Sequence, residues 1–297
     1  MRYSARIAAV LAVVVAIAGG AVAVALTVHK QPAVSHRPHA AAPLKLTPAQ
    51  AAAQTAAATA AQANSAAAAR WIAAQVRQGL VIGCDPATCA AILAAGYTTG
   101  GQVVLKPGVR LPRRGSVIVA TAAVRAEYGP RLDSLAPAVI ASFGTGAEAV
   151  QVAVVVPGGQ QAYRKAASKA LTARRHAGRK LLADRRVLAR GAIRTDLFSG
   201  RVDPRLITVL RKLAARYPVH LVHFGDTGPR AGKTIPFRMA EVAVPSVRGR
   251  HGRRSDLRGM EKLLRSQPAG NRALLLPKRL AHGIRVLQIT FLAPSPV

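Results

Sequence analysis

Acidic residues are scarce in this chain, with 11 Asp and Glu among 297 residues against 43 Lys and Arg. So few carboxylates leave little material for the paired acids of general acid–base chemistry. Aromatic residues make up 4%, so any core is aliphatic and light. Arginine-rich stretches without interleaved aromatics are also a poor match to proteins that stack nucleic-acid bases, and no specific nucleic acid is expected as a partner. Asparagine occurs only at Asn64 and Asn271. That scarcity, with 33 Arg against 10 Lys, is what a GC-rich genome produces. Part of the formal net charge of +32 then follows from codon composition. There is no zinc-protease helix motif, no nucleophile elbow and no Ser-x-x-Lys. No cofactor or metal is expected.

What is present begins with one long uncharged run. Residues 7–28 read IAAVLAVVVAIAGGAVAVALTV. As a helix this run spans about 33 Å, the thickness of a bilayer core. Arg2, Arg6 and the amino terminus precede it and Lys30 follows. The positive-inside rule then places residues 1–28 as a cytoplasmic tip and transmembrane anchor with the body outside the cell. Ala21-Val22-Ala23 offers a small-residue cleavage site as the alternative. Charge beyond the anchor is uneven: residues 161–297 carry 30 Lys/Arg against 7 Asp/Glu, residues 31–160 carry 10 against 4. Such unevenness points to a surface that meets something anionic.

The body divides by pattern. Residues 29–47, with three Pro and no apolar period, read as a linker. Thr47-Pro48-Ala49-Gln50 has capping-box spacing and opens an Ala-rich helix over 48–78, a stalk docking near Trp71, Ile72 and Val76. Residues 79–160 alternate short apolar runs with helical segments, the pattern of a small, mostly parallel α/β domain. Residues 161–190 read as a basic connector helix with a seam through Ala166, Ala170, Ala173, Ala177, Leu181 and Leu188. Its ten Lys/Arg, counted to Arg190, wrap around the axis. Residues 191–297 read as a smaller α+β domain, with Asp203-Pro204 capping a periodic helix.

Several local patterns invite chemistry. Cys84 and Cys89 flank Asp85-Pro86, a helix cap. They fall where a residue before the cap touches the first turn. A structural disulfide fits there, two free buried thiols are the alternative, and four intervening residues disfavour a redox pair. Gly228-Pro229-Arg230-Ala231-Gly232-Lys233-Thr234 is one residue short of a phosphate loop and lacks a following helix. Gly144-Thr145-Gly146-Ala147-Glu148-Ala149 imitates a dinucleotide fingerprint but leads into a strand. His220, His223 and Asp226 suggest a metal, yet strand positions three apart point to opposite faces.

Two resemblances add expectations. The stretches ARWIAAQVRQGLVIGCDPATCAAILAAG (Ala69–Gly96), ATAAVR (Ala120–Arg125) and ITFLAPSPV (Ile289–Val297) resemble a group of uncharacterised membrane-anchored actinobacterial proteins. That resemblance implies an envelope location and no particular activity. The layout of Val202–Val244 is similar to OmpA-like peptidoglycan-binding domains, in which a loop Asp and an Arg opening the next helix hold diaminopimelate. It implies Asp226 and Arg238 as a ligand pair. The Asp-to-Arg spacing is shorter than in that family, and Pro236 intervenes. The sequence therefore leads to an extracytoplasmic, non-catalytic envelope protein binding anionic cell-wall polymer or an envelope partner. The charged candidates are Arg174, Arg175, Arg179 and Lys180. A surface-polymer enzyme with an unrecognised site is the alternative.

Overall fold

The computed structural model describes residues 47–98, 100–112, 115–225, 228–243, 254–267, 272–280 and 283–295. The 7–28 run lies outside them, and among the described residues no helix is long and apolar enough to cross a membrane. The chain from Leu46 to Val297 clusters as one compact unit. Helix α1 (Pro48–Gln75) starts at the capping box of Thr47 and Gln50. Its first turns are exposed Ala. From Asn64, whose Nδ2 donates to Glu148 O at 2.9 Å, it lies on the first sheet and buries Ala68, Ala69, Trp71 and Ile72.

That sheet contains β1 (Ile82–Cys84), β2 (Gln102–Val104), β3 (Val117–Ala120), β4 (Ala138–Phe143) and β5 (Val150–Val154), in the order β2-β1-β3-β5-β4. β1 runs parallel to β2 and β3, while β5 is antiparallel to both β3 and β4. The expected mostly parallel sheet is thus a mixed one. A short link, with only a 3-10 turn at Gly146–Glu148, joins β4 to β5. Without a crossover helix, neighbouring strands must be antiparallel. Strand alternation decides the layers. Val117 and Val119 face α1 and α2 (Pro86–Ala94); Ile118 and Ala120 face α3 (Ala122–Tyr128) and α4 (Pro130–Leu135). Asp85 caps α2 and accepts from the Thr88 and Thr121 hydroxyls at 2.8 and 2.9 Å, which joins the ends of β1 and β3. Cys84 and Cys89 are joined by a disulfide across this cap, with Cα atoms 5.3 Å apart.

Helix α5 (Gly159–Leu182) leads to the second sheet, in the order β6-β7-β8-β10-β9. Its strands are β6 (Val187–Leu188), β7 (Val219–Gly225), β8 (Met239–Ala243), β9 (Leu274–Arg279) and β10 (Arg285–Thr290). One face is covered by α7 (Pro204–Ala214) and α8 (Arg254–Arg265), with Leu206, Leu210, Leu213, Met260 and Leu264 against Leu221, Val242, Leu287 and Ile289. Helix α6 (Gly191–Ser199) packs on α5. The contact is so close that a Cβ at Gly178 would lie 2.2 Å from Leu197 O.

The loop between β7 and β8 reaches the edge of the first sheet. Segment 228–232 lies along β4, with Ser142 N donating to Pro229 O at 2.8 Å and Gly232 N to Val139 O at 3.1 Å. It is the sequence that imitates a phosphate loop, and it serves as an edge cover. A Cβ at Gly228 would meet Ile140 O at 2.6 Å. After β10 the chain returns to α1, where Ala293 N donates to Gln75 O and Arg77 N to Ala293 O.

Because the neighbour of Gly178 is backbone, Gly178→Ala must push α5 and α6 apart. Overpacking of this kind costs about 1–3 kcal/mol. Urea unfolding of the variant should show that loss with folded-state circular dichroism retained; unchanged stability would refute the close contact.

Candidate anion-binding face

Helix α5 is built without a single Asp or Glu. It buries Tyr163, Arg174, Gly178 and Leu181 and leaves Arg164, Lys165, Lys169, Arg175, Arg179 and Lys180 exposed. At about 100° per residue, these six cations and His176 fall within an arc of roughly 160° on the side away from Arg174. Their positions span about 24 Å along the axis. The expectation that the charges wrap around the helix is therefore corrected. The helix ends at Leu182, so Arg185, Arg186 and Arg190 lie beyond it. Of the expected seam, Leu181 is buried and Ala177 packs against the core of the second sheet, whereas Ala173 is exposed and Leu188 lies in β6; Tyr163, Arg174 and Gly178 complete the buried side.

Of the four α5 cations expected to act together, the structure unites three. Arg175, Arg179 and Lys180 face outward, and Arg175 donates through Nε to Ser199 O at 3.3 Å. Arg174 is separated from them. It is 6% exposed, donates through Nε to Gly200 O at 2.8 Å, and has its pKa lowered by burial against the opposing pull of Asp203 and Tyr163.

The basic face continues past Lys180 into a groove of about 510 Å³ between the end of α5 and α7. Lys180, Arg186, Arg211 and Lys212 line it, with Asp184 the one carboxylate. Arg186 is fixed by Asp184 and by donation to Ala215 O at 2.8 Å, and Lys212 by Gln267 Oε1. Arg186, Arg211 and Lys212 were not singled out in the sequence, although Arg211-Lys212 stands out in the last turn of a strongly periodic helix. A second groove of about 360 Å³, between α8 and β9–β10, holds Arg258, Lys278, Arg279 and Arg285 with Glu261. There Glu261 accepts from Arg265 at 2.6 Å and Lys278 pairs with Glu241 at 3.6 Å, so part of the charge is answered. The outward face of α5 has no such carboxylates among the described residues.

Of the pair implied by the peptidoglycan-binding resemblance, only Arg238 lies among the described residues, and Asp226 lies outside them. Arg238 precedes a strand, β8, and not a helix. It is 1% exposed, with its guanidinium 5.7 Å from the Trp71 ring centre, beneath segment 228–232. A charge so enclosed is part of the core between the sheets and not a surface anchor for a sugar-linked peptide.

His220 and His223 also depart from expectation. A bulge between Leu221 and His223 pairs His220 with Ala243 and His223 with Glu241, two residues apart on β8. The extra residue returns both imidazoles to one face of the sheet. Among the described residues no three His, Cys, Asp or Glu groups come together as a metal ion needs. No protein-family model matches this chain, and no curated protein or solved structure shows significant similarity to it. The geometry itself must carry the functional reading.

Burial, with Arg190 adding repulsion, lowers the pKa of His220 below its usual 6.5. The fold holds the neutral ring, so the unfolded chain takes up the proton first as pH falls. His220 then costs nothing above about pH 6.5, and stability is lost as pH drops through its folded pKa. His220→Gln should flatten that part of a urea-midpoint-versus-pH curve. An unchanged slope would contradict the assignment.

Proposed function

We propose that this protein is a non-catalytic, membrane-anchored, extracytoplasmic binding protein that holds an anionic cell-surface polymer along the outward face of α5. The observation that carries this reading is the placement of six cations in one arc with no acid on the helix. An extended polyanion such as a teichoic acid, with phosphates along its length, matches a cationic strip about 24 Å long. Association by such a strip is driven by charge, and exposed charges more than roughly 8 Å apart are screened at physiological salt. Only closely seated phosphates contribute there.

The groove past Lys180 extends the same potential. Each of the two grooves holds a single carboxylate, Asp184 in one and Glu261 in the other. That supports a binding surface over a glycan hydrolase, which needs two acids across the scissile bond. The uncharged 7–28 run supports the anchor, and the cationic body fits the outer, anionic side of the envelope.

Binding of the full-length protein to purified walls should fall steeply across a salt series and should fall again when the anionic polymers are stripped. Replacing Lys165, Lys169, Arg175 and Arg179 with Gln should weaken it by about fivefold for each cation, if each contributes about 1 kcal/mol as at an anionic membrane surface. Binding indifferent to salt, to stripping and to these substitutions would exclude the α5 face. For the anchor, protease added to intact spheroplasts should digest the body and leave a short membrane-protected fragment. A body that resists digestion until lysis would place it on the other side.

A further inference from the structure

A separate cavity of about 70 Å³ lies where the first sheet meets the inward side of α5 and the returning tail. Most of its wall is apolar, with Ile140, Val154 and Ile235 contributing. Four polar groups interrupt that wall: Tyr163, Arg174, Thr234 and Ser295. Tyr163 and Arg174 are 8% and 6% exposed, whereas Thr234 is exposed and marks the mouth. The Tyr163 hydroxyl and Thr234 Oγ1 are 3.0 Å apart, and either can donate. Ser295 Oγ is buried with no hydrogen-bond partner among the described residues.

Arg174 is the unusual wall residue. Its Nε is satisfied by Gly200 O, but its two terminal nitrogens make no hydrogen bond among the described residues. The nearby carboxylate, Asp203, has both oxygens engaged by Arg205, at 3.1 and 2.8 Å. The terminal nitrogens of this largely buried guanidinium are left to water or to a ligand, and its planar fork matches a carboxylate. We propose that this cavity is a binding site for a small aliphatic carboxylate. Its charged group would sit on Arg174 with the tyrosine and serine hydroxyls beside it, and its short alkyl tail among Ile140, Val154 and Ile235.

Size narrows the ligand. A dry cavity of about 150 Å³ takes benzene, and this one is half as large, which suits acetate or propionate and excludes long acyl chains. The site faces inward from α5, so it is independent of the polymer-binding face. Ordered water alone is the competing occupant, since the same polar groups suit it.

Propionate is the probe, added to the full-length chain in mild detergent. Calorimetry should give a dissociation constant on the order of 1 mM. The melting temperature should rise with propionate more than with sodium chloride at equal ionic strength, while propionamide and propylammonium should give no such rise. Ala167→Leu, which fills the cavity from α5, should abolish the propionate effect, and if that variant fails to fold, Ala138→Val makes the same test from β4. Arg174→Lys should weaken binding about tenfold, because the paired donors are lost. Lys169→Gln, on the outward face, should leave it unchanged. A shift no larger than that of sodium chloride, equal protection by propionamide, or full protection in both cavity-filling variants would overturn the proposal and leave water as the occupant.

Discussion

Asp203 is fully buried, and it ties the start of α7 to the approach to β8 and, through Arg205, to the C-terminal tail. Its carboxylate caps α7 through Arg205 N and grips the Arg205 guanidinium in a two-point ion pair. Its backbone N donates to Phe237 O, just before β8. Arg205 reaches on to Leu292 O and lies over the Phe291 ring, with its guanidinium carbon 4.9 Å from the centre. The tail it holds is the one that returns to α1 through Ala293. One ion pair therefore connects the helix covering the second sheet with the helix covering the first. Removing one partner of such a buried pair typically costs 3–5 kcal/mol, because the other charge is left uncompensated.

The same pair shows how the basic composition is used. Some arginines act as internal struts. Arg125 donates to Ala120 O, Ala147 O and Ala149 O at 2.6–2.7 Å, and Arg230 to Gly144 O at 2.7 Å. Arg201, Arg205 and Arg238 lie over Phe237, Phe291 and Trp71. In a chain with eleven aromatic residues, four rings, those of Trp71, Phe198, Phe237 and Phe291, lie under a guanidinium, which is favoured over other cations there because it stacks and is weakly hydrated. The carbonyls and rings account for the places these arginines occupy. The outward cations of α5 have neither role, except for the contact of Arg175 with Ser199 O, and this sets them apart as a surface for something else.

Much of the fold was legible from end signals. Thr47, Asp85, Thr121 and Asp203 each begin a helix with a side-chain cap, and three of the four precede a proline. The apolar runs at 117–120 and 219–225 are strands because their branched residues alternate between two covered faces or pack beneath helices. The elements missed lack such marks. Helix α6 begins at Gly191 with no side-chain cap, and β8 is a five-residue strand after a proline-containing loop. The α5 face was obscured because Arg174, which the fold buries, was counted with the exposed cations; it lies opposite their arc, and Arg185, placed on the helix by a boundary drawn past Leu182, falls beside it. A bulge, which local sequence does not announce, reversed the parity of the two histidines. The small cavity was not legible, since its walls come from positions more than 150 residues apart, Ala138 and Ser295 among them.

The cover over β4 has a temporal consequence. β4 carries Val139, Ile140, Ala141 and Phe143, an apolar edge able to pair with another chain. Its cover, segment 228–232, is encoded about 90 residues later. At 5–20 residues per second, a growing chain presents that naked edge for roughly 5–20 s before the covering segment exists. The first sheet can form early, but it cannot be closed early. Synthesis of this protein therefore passes through an interval of exposed pairing edge, set by chain order, in which a chaperone must keep neighbouring chains apart.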